Sequence, residues 1–533
     1  SAKIDEKQVR EAASESRMTQ FLNQLRNGGA EDRLYSLALA GPQDAPTSRQ
    51  LALTTELLRK GRAAEAGSVA NTLLRRSLSN EGVRRQYDAW IGARQALEGL
   101  LFGGMGKLTA EQYRNRLQEL RGQVESTEAQ LLDDLPASRK QRLPEFDAMV
   151  STVAQRLPTS GALVEFVFYV PALPGSVSLS QLKAEPHYLA LLLFPDQRSA
   201  AVDLGPADAV NSQAGELLSK LQNPREDPKS AAQALYTLIL RPLLPHLHGA
   251  TELFLAPDHA LHMIPFDALH DGKDYLLGRF RFHYLTSGRD LLRQPSGASG
   301  SSSLVVANPD FGKGDESKLQ TQNQSLYSRL VGLAPLPGTL REAQAIGRLL
   351  GVEPLTGGHA SEEAIRQVRS PRILHIATHG AFLEDVQYSP VSSDDQQGLR
   401  ALTPLPQVRP KANLEHVPGS WGAMSRSALI LAHAIEGSKS GSTEQDGLLT
   451  AQEARSLDLE ATQMVVLSAC ETVQGSLSPG QGVYGLRRAF LVAGAETVVT
   501  SLWQVHDQTT GDLMTLFYRK LLDSRNPLGR LDA

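Results

Sequence analysis

Up to about residue 150 the apolar positions recur at helical spacing, and β-branched runs are nearly absent. Tyr113, Leu117 and Leu120, flanked by Glu111, Arg114, Arg116 and Glu119, predict an amphipathic helix packed in a bundle. The basic cluster Arg59-Lys60-Gly61-Arg62, with Arg75-Arg76, reads as a solvated helix end in preference to an anion site. Past Pro158 the pattern changes. Ala162 to Tyr169, Tyr188 to Phe194, Ala200 to Leu204 and Glu252 to Pro257 are short apolar runs that predict strands. Pro195-Asp196-Gln197 marks a turn, and the stretch from Asp208 to His246 is helical.

Further strands are predicted at Leu304 to Ala307, Ile373 to Thr378, Ala428 to Ala432, Val465 to Ala469 and Thr497 to Trp503. Helices are expected over Leu340 to Leu350, Val483 to Ala493 and Thr509 to Leu522, and Thr450-Ala451-Gln452-Glu453 forms a capping box. Strands alternating with helices predict an α/β fold, with a mainly parallel sheet covered on both faces. Three parts follow: a helical segment over 1–157, an α/β unit over 158–296 and a second over 297–533. The Gly- and Ser-rich stretch from Gly297 to Ser303 reads as a linker, and Gly312 to Ser328 as a mobile loop. From Glu384 to Met424 periodicity is lost, as expected of a functional loop or disorder. The helical part has no convincing 34-residue repeat.

Composition narrows the class. Apolar residues make up 41% and charged residues 21% of 533 positions, as in globular proteins. A net charge of −4 gives no electrostatic case for nucleic acid or an anionic membrane as partner. No apolar run reaches the roughly 20 residues of a membrane helix. The sequence begins at Ser1 without a signal-peptide core, and reads as a piece of a longer or processed chain. One cysteine excludes an internal disulfide and a multi-thiolate zinc site, and suits a reducing cytoplasm. No metal or cofactor is expected.

That cysteine, Cys470, stands where one apolar run stops, and His379 stands where another does. Ligands and reacting groups gather at the carboxyl ends of parallel strands. A thiol is a nucleophile only as thiolate, and an adjacent imidazole generates that form and returns the proton to a leaving amine. Gly380 lets the backbone approach a substrate, and its N–H can join that of Cys470 as an oxyanion hole. Each residue alone also has a plainer reading: Cys470 as a buried small hydrophobe, His379 as a hydrogen-bonded surface group. His375 reads as a core histidine.

Leu374-His375-Ile376-Ala377-Thr378-His379-Gly380 followed by Leu467-Ser468-Ala469-Cys470-Glu471-Thr472 resembles the signature of the CHAT proteases, which are caspase-like and often linked to tetratricopeptide repeats. Asp446 to Glu453, Arg488 to Ala495 and Ser501 to Asp507 are similar in order, as are Ala256-Pro257-Asp258 and Ile264-Pro265-Phe266 upstream. The resemblance implies a caspase- and separase-like sheet, with 158–296 as a pseudo-protease-like unit and 297–533 as the catalytic one. It implies His379 as base, Cys470 as nucleophile, and the amides of Gly380 and Cys470 as oxyanion donors. Asp507, with Trp503 in the same motif, would line a pocket favouring Arg or Lys; the alternative for Asp507 is a helix cap. Glu471 would orient the site or bond to local backbone.

The expected function is a cysteine endopeptidase acting on a protein substrate. A partner reached through the helical segment would regulate it, and the setting implied is bacterial defence or cell death. Glu384 to Met424 would serve as a lid, with Arg400 and Arg409 as self-cleavage points. The competing reading is a catalytically silent caspase-like interaction module.

Overall fold

The computed structural model describes residues 30–40, 46–61, 77, 80–103, 108–133, 144–172, 185–223, 225–293, 302–312, 333, 336–382, 427–440, 446–470, 477–478, 482–483, 485–501 and 507–523. The predicted linker over 297–303 and loop over 312–328 lie almost wholly outside these residues, as does Glu384 to Met424.

The helical segment opens with α1 (Ala30–Ala40), α2 (Pro46–Arg59), α3 (Glu81–Gly103), α4 (Ala110–Asp133) and α5 (Met149–Ala154). It divides by its packing. α3 and α4 form a hairpin closed by Trp90, Leu97, Leu120 and Val124, with Leu117 against that cluster as its spacing predicts. α1, α2 and α5 instead bury Tyr35, Leu53, Leu57 and Val153 against Leu163, Val167, Leu189 and Leu191 of a sheet. These three helices are one layer of the first α/β unit.

That unit contains β1 (Gly161–Tyr169), β2 (His187–Leu193), β3 (Ser199–Pro206), α6 (Ala207–Gln222), α7 (Lys229–Ile239), β4 (Glu252–Ala256) and β5 (Arg281–Tyr284). The sheet order is β3-β2-β1-β4-β5. β1, β2 and β3 are antiparallel neighbours, while β1, β4 and β5 run parallel. The sheet is therefore mixed. The Pro195-Asp196-Gln197 turn permits only an antiparallel return, whereas α6 and α7 supply the crossover that a parallel pair needs. These two helices cover the second face through Val210, Leu217, Leu235 and Ile239.

Lys60 corrects the solvated-end reading. It is 2% exposed, and its Nζ donates to Phe166 O at 2.7 Å and Ala256 O at 2.8 Å. The same ammonium lies 3.1 Å from Glu165 Oε2 and 3.5 Å from Glu56 Oε1. Burial disfavours this charge, yet Glu165 and Glu56 outweigh it and hold Lys60 above its ordinary range. Arg59 is likewise paired, with Glu31. The residue after them, Gly61, adopts φ +76°, and a Cβ there would meet Thr286 Cγ2 at 2.8 Å. Only glycine fits that close approach.

The second unit begins with β6 (Leu304–Pro309), α8 (Pro337–Leu350), β7 (Leu355–Gly357), α9 (Glu362–Arg366) and β8 (Ile373–Phe382). It continues with β9 (Ser427–Ile430), α10 (Ala434–Ser440), β10 (Leu448–Thr450), α11 (Ala451–Ala454) and β11 (Met464–Cys470). β12 (Leu477–Ser478), β13 (Gly482–Val483), α12 (Leu486–Val492), β14 (Thr497–Thr500) and α13 (Asp507–Leu521) complete it. The helix expected from Val483 starts later, because 482–483 pair with 477–478 and Gly485 is extended.

β8 is the axis of this sheet. Along one side it pairs with β11 in parallel, from Ile373 to His379. Along the other it changes partner: Leu374 to Ala377 pair in parallel with β6, and His379 to Phe382 pair antiparallel with β9. Strand alternation sorts the rest. Leu374, Ile376, Val465 and Leu467 face α9, α11 and α12, while Ile373, Ala377, Met464 and Val466 face α8 and α13.

Candidate active site

The changeover on β8 falls at Thr378, whose hydroxyl donates to Ile430 O. β6 ends here and β9 arrives from the opposite direction, so the two strands meet end to end along one side of β8. Two flanking residues take left-handed backbone: Asn308 near the end of β6 (φ 45°) and His433 after β9 (φ 68°). Backbone bonds staple the two strand exits together, from His433 N to Asp310 O at 2.9 Å and from Ile435 N to Phe311 O at 3.0 Å.

His379 is half-buried and occupies the first position of β8 beyond this changeover. Its register partner on β9 is Ile430, and on β11 it is Cys470. Adjacent strands lie about 4.8 Å apart, so the backbone positions of the predicted base and nucleophile stand side by side. The alternation that puts Ile373 and Ala377 against α8 and α13 places His379 on that same sheet face. Gly380 follows in β8, half-buried and in register with Leu429.

α8 and α13 each follow a strand of this sheet and run back along it, so their N-termini lie at the carboxyl edge. They pack side by side: a Cβ at Gly511 would lie 3.4 Å from Glu342 Cβ. The positive ends of two helix dipoles are thus at the edge where Cys470 closes β11.

His375 is the core histidine its position suggested. It is fully buried, with Nδ1 3.2 Å from the Tyr518 hydroxyl and Nε2 3.1 Å from Glu342 Oε1. It ties β8 to both helices two pleats below His379.

Phe311 was not anticipated from sequence. Its ring is 5.6 Å from the His379 ring at 42° between planes, and it is 8% exposed. The signal was the motif Asn308-Pro309-Asp310-Phe311-Gly312, where an aromatic follows a strand-ending turn. Among the remaining candidates, Asp507 is the first residue of α13. Trp503, Glu471, Arg400 and Arg409 lie outside the described residues.

A second polar cluster joins α9 to α11. Arg366 Nε lies 2.8 Å from Glu362 Oε1, and Arg366 Nη2 lies 2.5 Å from Glu453 Oε1. Thr450 and Glu453 complete the predicted capping box of α11. Burial, then the charge of Glu453, raises Glu362 to about 9 and Asp446 to about 7. Among the described residues no group of three or more His, Cys, Asp or Glu is placed to hold a metal ion. No helix among them is long and apolar enough to cross a membrane.

A model of the CHAT domain family matches residues 229–532. Tetratricopeptide repeat protein 28 of Homo sapiens is 27% identical over 310 residues, covering 55% of this chain and 12% of that protein. Its counterpart in Mus musculus is 26% identical over 309 residues, with the same coverage. The chain therefore spans about an eighth of the length of these curated relatives.

Proposed function

Because the chain belongs to the CHAT domain family, a caspase-like family, we propose that it is a cysteine endopeptidase with His379 as base and Cys470 as nucleophile. The observation that carries this reading is the register of Cys470 with His379 across two parallel strands at their carboxyl edge. In the reaction, His379 takes the Cys470 proton and the thiolate attacks the scissile carbonyl carbon. The amides of Gly380 and Cys470 receive the negative oxygen of the tetrahedral adduct. His379 then gives its proton to the departing amine, leaving a thioester that water hydrolyses to regenerate the thiol.

Asp507, with Trp503, would form the pocket for the residue before the cut, and a carboxylate there would select Arg or Lys. The substrate is a protein, and control comes from a partner engaging the helical segment. Contact of that segment with the second unit supports this route: Gly61 O accepts from Arg488 Nη2 of α12 at 3.2 Å, and α12 follows the Cys470 strand. Glu384 to Met424 would gate the site, with cleavage at Arg400 or Arg409 as the trigger. A role in bacterial defence or cell death is part of this proposal. The division into a helical segment over 1–157, a pseudo-protease unit over 158–296 and a catalytic unit over 297–533 is also proposed.

A second reading, a catalytically silent interaction module, draws on the names of the matched relatives, which describe repeats rather than an activity. An Arg-directed chloromethyl ketone followed by mass spectrometry separates the two. The protease reading expects an adduct on Cys470 that disappears in His379→Ala. Inertness of the thiol across varied reagents and peptide substrates would leave the interaction module in place.

A further inference from the structure

Thr378 stands one residue before the proposed base and falls between two strand partners of β8. The parallel register with β6 ends at Ala307 opposite Ala377, and the antiparallel register with β9 begins at Ile430 opposite His379. The Thr378 hydroxyl spans that gap by donating to Ile430 O, the last carbonyl of β9. Thr378 is 1% and Ile430 3% exposed, so the bond sits out of water. Leu374 and Ile376, on the same face of the strand, are apolar and pack with Leu429 and Leu431. A valine of the same shape would serve that packing equally well, so the hydroxyl calls for a separate reason.

The reason lies in the route that the chain takes from Ile430. The ladder with β8 accounts for Ser427 to Ile430 only. Beyond it, Leu431 N donates to Gly447 O at 2.7 Å, Ala432 N to Ala360 O at 2.9 Å and His433 N to Asp310 O at 2.9 Å. Asp310 precedes Phe311, whose ring lies 5.6 Å from that of His379, and Ile435 N donates to Phe311 O at 3.0 Å. His379 adjoins Thr378, so these contacts form a closed circuit with the imidazole on it. His433 on this route, and Asn308 just before Asp310, hold left-handed backbone at φ 68° and 45°. Such conformations away from glycine persist where the surrounding bonds over-determine them. A hydroxyl bond at the start of the route sets where the rest of it lies.

We propose that Thr378 is a positioning residue for His379: its hydroxyl holds Ile430 O and thereby places Phe311 against the imidazole. The proposal rests on the reading of His379 as the base. A loosened ring would slow proton transfer from Cys470 without altering contacts to the substrate. Serine at 378 keeps the bond, whereas valine keeps only the shape.

NMR spectra of the whole chain, with histidine rings labelled at Cε1, report the two imidazoles of β8 separately. His379→Gln identifies one signal. The shift caused by Tyr518→Phe identifies that of His375, whose Nδ1 lies 3.2 Å from the Tyr518 hydroxyl. Thr378→Val should shift or broaden the His379 signal and leave that of His375 in place, and Thr378→Ser should keep both as in the unaltered protein. Alkylation of Cys470 by iodoacetamide at neutral pH should slow about tenfold in Thr378→Val and little in Thr378→Ser. Thr378→Ala, which adds no bulk, repeats the comparison should valine disturb folding. An unchanged His379 signal without the hydroxyl, equal movement of both signals, or a serine variant that behaves like valine overturns the proposal. Failure of the protease reading shows separately, as Cys470 alkylation that His379→Ala does not alter, and the ring signals decide the placement of His379 in either case.

Discussion

Lys60 is the most exacting test of how the helical segment is held. Lys60→Met keeps the unbranched stem, one atom shorter, and deletes a charge whose side chain is 1% exposed. Glu165, 0% exposed, would then keep only Gly288 N–H at 2.6 Å and Ser287 Oγ at 3.3 Å, and Phe166 O and Ala256 O would lose a donor. Removing one partner of a buried ion pair costs about 3–5 kcal/mol. Burial holds Glu56 at about 7 against the pull of Lys60, so losing the ammonium should push Glu56 higher and leave it protonated at neutral pH. Adding Glu165→Gln removes the stranded charge while keeping an acceptor for Gly288 N–H, and should return about 1–3 kcal/mol. In a chain of several units a single unfolding free energy is poorly defined. The assay is therefore hydrogen exchange of the α2 amides, which reads local opening. Unchanged protection in Lys60→Met, or strictly additive effects in the double variant, would refute the reasoning.

Phe311→Ala should lower turnover of a peptide substrate about 10- to 100-fold by loosening the imidazole, with KM little changed; Phe311→Leu should retain most activity, and steady-state kinetics checks both. Thr450→Ala removes the capping box of α11 and should cost about 1–2 kcal/mol, read as accelerated exchange of the amides around Glu453. Glu362 is raised from an ordinary 4.5 to about 9, so the stability it lends is complete below 4.5 and is lost as pH rises through 9. Asp446 behaves alike from 3.8 through about 7. The melting temperature should thus fall across this range, and Glu362→Gln should flatten the alkaline part; an equally steep fall in the variant would contradict the assignment.

Where the sequence was readable, one signal sufficed. The β8 and β11 runs are apolar on both faces, so their existence and burial could be anticipated, although β8 continues past Thr378 to Phe382 and holds His379 inside the strand rather than at its end. β5, β7 and β10 are too short, at four, three and three residues, for any periodicity to register. Their existence depends on neighbours in the sheet. Lys60 was misjudged because charge at a helix end usually meets water. The corrective clue lay a hundred residues away, where Glu165 interrupts an otherwise apolar strand and so demands a buried counter-charge. Phe311 escaped for a related reason: a loop aromatic acquires its role only when β6, β8 and β9 converge. At the site itself the identities of His379 and Cys470 were legible, whereas their register was not, since nothing in either run specifies which residue of one strand stands opposite which of the other.

The change of partner along β8 has a consequence for covalent continuity. Phe382 and Ser427 are paired directly across β8 and β9, and β9 is held in turn by β10. The chain between those two residues therefore leaves and re-enters the sheet at one point. A break anywhere in 383–426 would separate two polypeptides while leaving every strand among the described residues in the sheet, because each new end remains attached to a paired edge. The cut protein would run as two bands on a denaturing gel and as one particle in solution. Insertions of different length at the same place would be tolerated on the same ground, since loop-closure entropy rises by only about 0.6 kcal/mol per doubling of length.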